Sequence, residues 1–268
     1  MNIEHNVQGR LGVIFDIDGV LLDSYKLHYE CWRAIAEKDS IALREKEFDS
    51  LFGRRGNEIV REIWGQELPV EQVVSIHREK QALYREKLQR NFPKMDGAIQ
   101  LIDALVAEGF VLGIGSSAPP ANVEMSIRGL DLTNSFKAVV SGDEVTHGKP
   151  DPQVFLLAAQ RMEVEPSSCA VIEDAPAGIA AALDAGMTAI ALAGTAPPGS
   201  LTAAHLVVTS LRQLTPERVA DLIRRRPAPG PAYPRAEASR SRRWQRLRPV
   251  PAPAPRPDPP RPAGPPEP

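Results

Sequence analysis

Leu11-Gly12-Val13-Ile14-Phe15-Asp16-Ile17-Asp18-Gly19-Val20 places two carboxylates one residue apart at the end of an apolar run. Ionised carboxylates are costly to remove from water unless a cation or hydrogen-bond donors meet them, so a pair at the carboxyl end of a buried strand points to a metal. Period-two alternation sends Asp16 and Asp18 to the same side and Ile17 to the core. Gly19 lets the backbone turn sharply straight afterwards. Taken alone, the motif is equally compatible with a capped strand end carrying two solvated acids, because loops are rich in Asp and Gly.

Working outward, Ser24 to Lys38 reads as a helix with Leu27, Cys31, Trp32 and Ile35 on one face. Helical spacing continues through Ile59-Val60-Ile63-Trp64 and from Val70 to Leu88, so residues 24–92 read as all-helical up to the break at Asn91-Phe92-Pro93. From Gly97 helices and short apolar strands alternate: strands at Phe110 to Ile114, Ala138 to Val140, Cys169 to Ile172 and Thr188 to Leu192, with Leu206 to Val208 as a further candidate. Asp151-Pro152 reads as the cap and first residue of the helix running to Met162. Strands separated by helices of about 10–15 residues imply crossovers and a parallel sheet, so the expected class is α/β, a doubly wound parallel sheet. The expected division is a core from 1–23 and 93–226, a helical insertion at 24–92 and a tail at 227–268.

At 268 residues the chain can bury a full core. The tail carries eight Arg against three acids and 15 of the 26 prolines, so the near-zero net charge hides a folded part close to −7. Such a tail forms neither helix nor ladder, and it reads as disordered and partly polyproline II. A Pro-rich or basic partner site within it is the alternative reading, and nucleic acid is not the expected partner because only Tyr233 and Trp244 accompany the charge. No apolar run approaches the roughly 20 residues of a membrane span, and the first residues lack the basic-then-apolar order of a secretory leader. Cys31 and Cys169 fall in apolar elements without metal-ligand spacing, which reads as two reduced thiols in a cytoplasmic, monomeric protein.

In an open α/β sheet, ligands bind beyond the carboxyl ends of the strands. Four strand ends here carry chemistry: Asp16 and Asp18, then Ser116 and Ser117, then Lys149-Pro150-Asp151, then Glu173 and Asp174. Each has a plain reading by itself, as a helix cap, a solvated lysine or acids complementing a helix dipole. Acid, hydroxyl, lysine and acid at successive strand ends point together to a phosphate and a metal.

These motifs, with Ala175-Pro176-Ala177-Gly178-Ile179 completing the last, resemble the haloacid dehalogenase superfamily of phosphotransferases over residues 11–195. The helical insertion resembles that family's α-helical cap, and Asp23-Ser24 with His28 and Trp32 resembles its β-phosphoglucomutase branch. The resemblance implies Asp16 as nucleophile toward phosphorus and Asp18 as general acid and base. It implies Mg²⁺ on Asp16, the backbone carbonyl of Asp18 and Asp174, with Glu173 near or through water. Ser116, the N–H of Ser117 and Lys149 would bind the phosphoryl oxygens. Neighbouring negative charge from Asp16 and phosphate is expected to raise the Asp18 pKa.

A phosphatase and a mutase share this machinery, and the cap decides between them. His28 resembles a histidine that supports closure and proton transfer, or it packs beneath the cap. Glycine stands where the mutase branch places an arginine on the distal phosphate, with Arg54 and Arg55 just before it, and Lys80 is a weak match to a second phosphate contact. This departure favours a phosphatase of small phosphorylated metabolites, sugar phosphates above all, over a β-phosphoglucomutase. A binding protein acting through its tail is the more remote reading.

Overall fold

The computed structural model describes residues 9–196 and 199–225; the expected tail at 227–268 lies outside the described residues. Six parallel strands form one sheet: β1 Gly12–Phe15, β2 Val111–Gly115, β3 Ala138–Val140, β4 Cys169–Glu173, β5 Thr188–Leu192 and β6 Leu206–Val208. Their order is β3-β2-β1-β4-β5-β6, which puts β1 at the centre where the order reverses. That reversal is the switch point at which open α/β sheets hold their ligands.

The apolar strand runs are explained by burial on both faces. Val13 and Phe15 of β1 join Leu112, Ile114, Ala170 and Ile172 in one cluster. This face is covered by helices α5 (Ala98–Ala107), α6 (Pro120–Gly129) and α9 (Pro216–Arg225). Ile14, one residue out of phase, joins Val140, Val171 and Phe155 in the other cluster, under α7 (Gln153–Met162) and α8 (Pro176–Asp184). Glycines admit α7 closely, since a Cβ on Gly113 would lie 2.5 Å from Met162 Sδ and one on Gly115 2.8 Å from the Phe155 ring.

Register fixes the site. Phe15 pairs with Ile114 of β2 and with Ile172 of β4, so Asp16, Gly115 and Glu173 leave the sheet side by side. Asp16 holds this edge with a backbone N–H to the Ile172 carbonyl, 3.1 Å.

Between β1 and β2 the chain makes only helices, as the spacing predicts: α1 Tyr25–Lys38, α2 Glu45–Phe48, α3 Gly56–Trp64 and α4 Val70–Arg90. They share a separate apolar cluster around Trp32, Ile35, Phe48, Val60 and Trp64. Cys31 of α1 and Tyr84 and Leu88 of α4 belong instead to the sheet's own cluster, so the two long helices tie the insertion to the core. Cys31 and Cys169 are both buried and free. The helix expected from Asp151-Pro152 begins one residue later, with the Asp151 carboxylate accepting the Gln153 N–H at 3.0 Å. Among the described residues no helix is long and apolar enough to cross a membrane.

Phe155 is fully buried between α7 and the sheet. Phe155→Ala should therefore destabilise the protein by about 3–5 kcal/mol, read as a lower urea midpoint at unchanged slope.

Candidate active site

Lys149, carried by the loop after β3, reaches the switch point and donates to Asp16 Oδ1 at 2.9 Å and to Glu173 Oε1 at 2.6 Å. All three side chains are buried. The second oxygen of Glu173 accepts the backbone N–H groups of Asp174 and Ala175, at 2.8 and 2.9 Å. Glu173 is thus fully engaged in holding Lys149 and the turn into α8. Gly178 makes room for it, since a Cβ there would sit 1.9 Å from Glu173 Oε1.

Asp174 is different. Both its oxygens are buried and, among the described residues, neither forms a hydrogen bond of good geometry, with the Thr195 hydroxyl nearby. Asp16, Glu173 and Asp174 bring carboxylate oxygens within 4.8 Å of one another, and Lys149 is the cation among them. An all-oxygen set with excess negative charge and an orphaned carboxylate fits a hard divalent cation. The charge imbalance appears in the titration. Burial, then the charge of Glu173 and Asp16, raises the Asp174 carboxyl well above its ordinary value. Burial raises Asp16 to about 7, against the opposing charge of Lys149.

Asp18 points into another environment. Its Oδ1 accepts from Ser24 Oγ at 2.7 Å, His28 Nε2 at 2.9 Å and Tyr84 OH at 3.1 Å, all from the insertion or its hinge. Burial would raise this carboxyl, but His28, Ser24 and Lys80 overcome it and hold Asp18 well below the usual carboxylate range. The expected upward shift is therefore overturned, because the groups nearest in space are donors on α1 and α4 rather than the acid two residues away.

Behind His28 stands Lys80, whose Nζ is 2.7 Å from His28 Nδ1 and lies over the rings of Trp32 and Tyr84 at 5.2 and 4.7 Å. An ammonium only donates, so Nδ1 accepts and Nε2 carries the hydrogen given to Asp18. Burial lowers Lys80 to about 8 and, with the charge of Lys80, keeps His28 below its ordinary value. Lys80 is therefore engaged with His28, beside Asp18. Ser24 caps no helix with its side chain, which is spent on Asp18.

Ser116 and Ser117 line the same cavity as Asp16, Asp18, His28, Lys80 and Arg54. Ser116 Oγ accepts the Ala118 N–H at 3.1 Å, leaving its hydroxyl hydrogen for a ligand. Arg54 is tied to Glu58 at 3.4 Å and to Glu62 at 3.9 Å. Arg55 does not line the cavity: its NH1 donates to the Thr146 carbonyl at 3.2 Å, bridging insertion and core. Gln81 of α4 and Asn122 of α6, neither singled out from sequence, also line it.

A haloacid dehalogenase-like hydrolase model matches residues 13–192, which takes in every one of these side chains. The chain belongs to the haloacid dehalogenase-like hydrolases. It is 32% identical to a phosphorylated carbohydrates phosphatase of Thermotoga maritima over 66% of this chain and 82% of that one. It is 33% identical to a beta-phosphoglucomutase of Bacillus subtilis over 76% of this chain and 92% of that one. It is 31% identical to a fructose-1-phosphate phosphatase of Escherichia coli over 67% of this chain and 94% of that one. Among solved structures it is similar to beta-phosphoglucomutase from Clostridium difficile, with TM-score 0.75, 27% identity, and 81% of this chain and 98% of that one covered. This hydrolase is therefore an enzyme with phosphatase relatives.

An acid whose folded pKa is raised contributes stability below its unfolded pKa and loses it as pH rises through the folded value. For Asp16 that window runs from about 4 to about 7. Mg²⁺ should accordingly raise the melting temperature more at pH 7.5 than at pH 5, and Asp174→Ala should remove most of the gain; differential scanning calorimetry reads both.

Proposed function

We propose that the enzyme is a Mg²⁺-dependent phosphatase of small phosphorylated sugars or sugar alcohols, working through an aspartyl-phosphate on Asp16. The observation that carries this is the geometry at the end of β1: Asp16 held by Lys149 beside Glu173 and Asp174, and Asp18 two residues on, held by Ser24, His28 and Tyr84.

Asp16 attacks phosphorus in line, and the bond from phosphorus to the leaving alcohol oxygen breaks. Asp18 gives that oxygen its proton. The proton reaches Asp18 along the line Lys80, His28, Asp18: Lys80 Nζ passes one to His28 Nδ1 as His28 Nε2 releases its own. In the second half Asp18 takes a proton from water, whose oxygen attacks phosphorus as the bond from phosphorus to Asp16 breaks, and the proton returns through His28 to Lys80. Lys149 with the Ser116 hydroxyl and the Ser117 N–H would hold the equatorial oxygens as charge shifts. Asp16 and Asp174 would hold Mg²⁺, which when bound offsets the repulsion between carboxylate and phosphoryl group.

Phosphatase is preferred over mutase because a mutase must also hold the far phosphate of a bisphosphate. Arg54 faces two carboxylates, Lys80 is consumed at His28, and Gly56 offers no side chain. A second phosphate would have to compete with Glu58 and Glu62 for Arg54.

Offered β-glucose 1-phosphate, Mg²⁺ and a trace of glucose 1,6-bisphosphate, the enzyme should release inorganic phosphate as the main product. Glucose 6-phosphate in excess would instead make it a mutase.

A further inference from the structure

Gln81 and Asn122 are two buried amides that the mechanism leaves unused, at 8% and 2% exposure. One stands on α4 in the insertion and the other on α6 in the core, 41 residues apart in sequence. Asn122 Nδ2 donates to Gln81 Oε1 at 2.8 Å, which joins the two halves of the molecule across the cavity.

Each amide is anchored from outside. Gln81 Nε2 lies 2.7 Å from His77 Nε2, and Arg85 NH1 donates to Asn122 Oδ1 at 3.1 Å. Burial, with the charges of Lys80 and Arg55, lowers His77 to about 4, so its ring is neutral and accepts from the Gln81 amide. The orientation of both amides follows: oxygens are occupied, and each nitrogen has spent one of its two hydrogens. The second hydrogen on each has no partner among the described residues.

The cavity they line mixes apolar side chains, among them Trp32, Phe48, Phe52 and Ile59, with the charged and polar groups of the reacting end. Unspent amide donors beside apolar surface match hydroxyl oxygens on an uncharged carbon skeleton. The unfilled space is about 50 Å³, a fraction of the roughly 150 Å³ that admits a benzene ring.

We propose that Gln81 and Asn122 are the specificity-determining pair for the alcohol half of the substrate. They donate to its hydroxyl oxygens from opposite sides, so that a polyol links insertion and core. The inference rests on the phosphatase reading and adds to it the groups that recognise the leaving alcohol.

The test compares hexitol 6-phosphate with phenyl phosphate, which lacks hydroxyls, using the full chain, Mg²⁺, and the variants Gln81→Met and Asn122→Asp. Asn122→Asp preserves side-chain shape, so it keeps the comparison intact if Gln81→Met folds poorly. Each variant should lose at least ten-fold more kcat/KM on the hexitol ester than on the phenyl ester, with the difference carried mainly by KM. Equal losses on the two esters would overturn the proposal while leaving the phosphatase reading in place. No turnover of either ester by the unaltered protein would overturn both.

Discussion

The arrangement depends on Lys149, one buried ammonium shared between Asp16 and Glu173 with Asp174 close by. Removing charges from water is worthwhile only when partners replace the solvent, and here they do so incompletely. Glu173 is fully satisfied by Lys149 and two backbone N–H groups, so the remaining deficit falls on Asp16 and Asp174. A site left short of positive charge, at the switch point of the sheet, is prepared for a metal ion.

The helical insertion supplies the opposite environment. Ser24, His28 and Tyr84 surround Asp18 with donors and keep it ionised, while Lys80 stands behind His28 with a lowered proton affinity. The two carboxylates of one short motif therefore belong to different halves of the molecule. Asp16 answers to the core and Asp18 to the insertion.

Much of this was legible in the chain. Strands buried on both faces are apolar runs, and their order with intervening helices predicted the parallel sheet, with Asp16, Ser116, Lys149 and Glu173 falling at its carboxyl edge as chemistry-bearing interruptions. Within the insertion His28, Arg54, Arg55 and Lys80 are legible as candidates, and all but Arg55 line the cavity, but their partners are not legible. Lys80 and Tyr84 read as parts of a long helix, and nothing local tells that Tyr84 turns to the acid at position 18 and Lys80 to His28. The pKa of Asp18 was misjudged for the same reason, since sequence neighbours stood in for spatial ones. Gln81 and Asn122 carry no motif, and only the packing of α4 on α6 brings them together.

The central claim is that Asp16 takes the phosphoryl group before water does. Acid quenching during turnover of a phosphorylated sugar, followed by peptide mapping, should find a phosphoryl group on the peptide containing Asp16, lost in Asp16→Asn along with turnover. A quenched enzyme that carries no phosphoryl group at any time in the first turnover, or an Asp16→Asn variant that still turns over, would contradict the account.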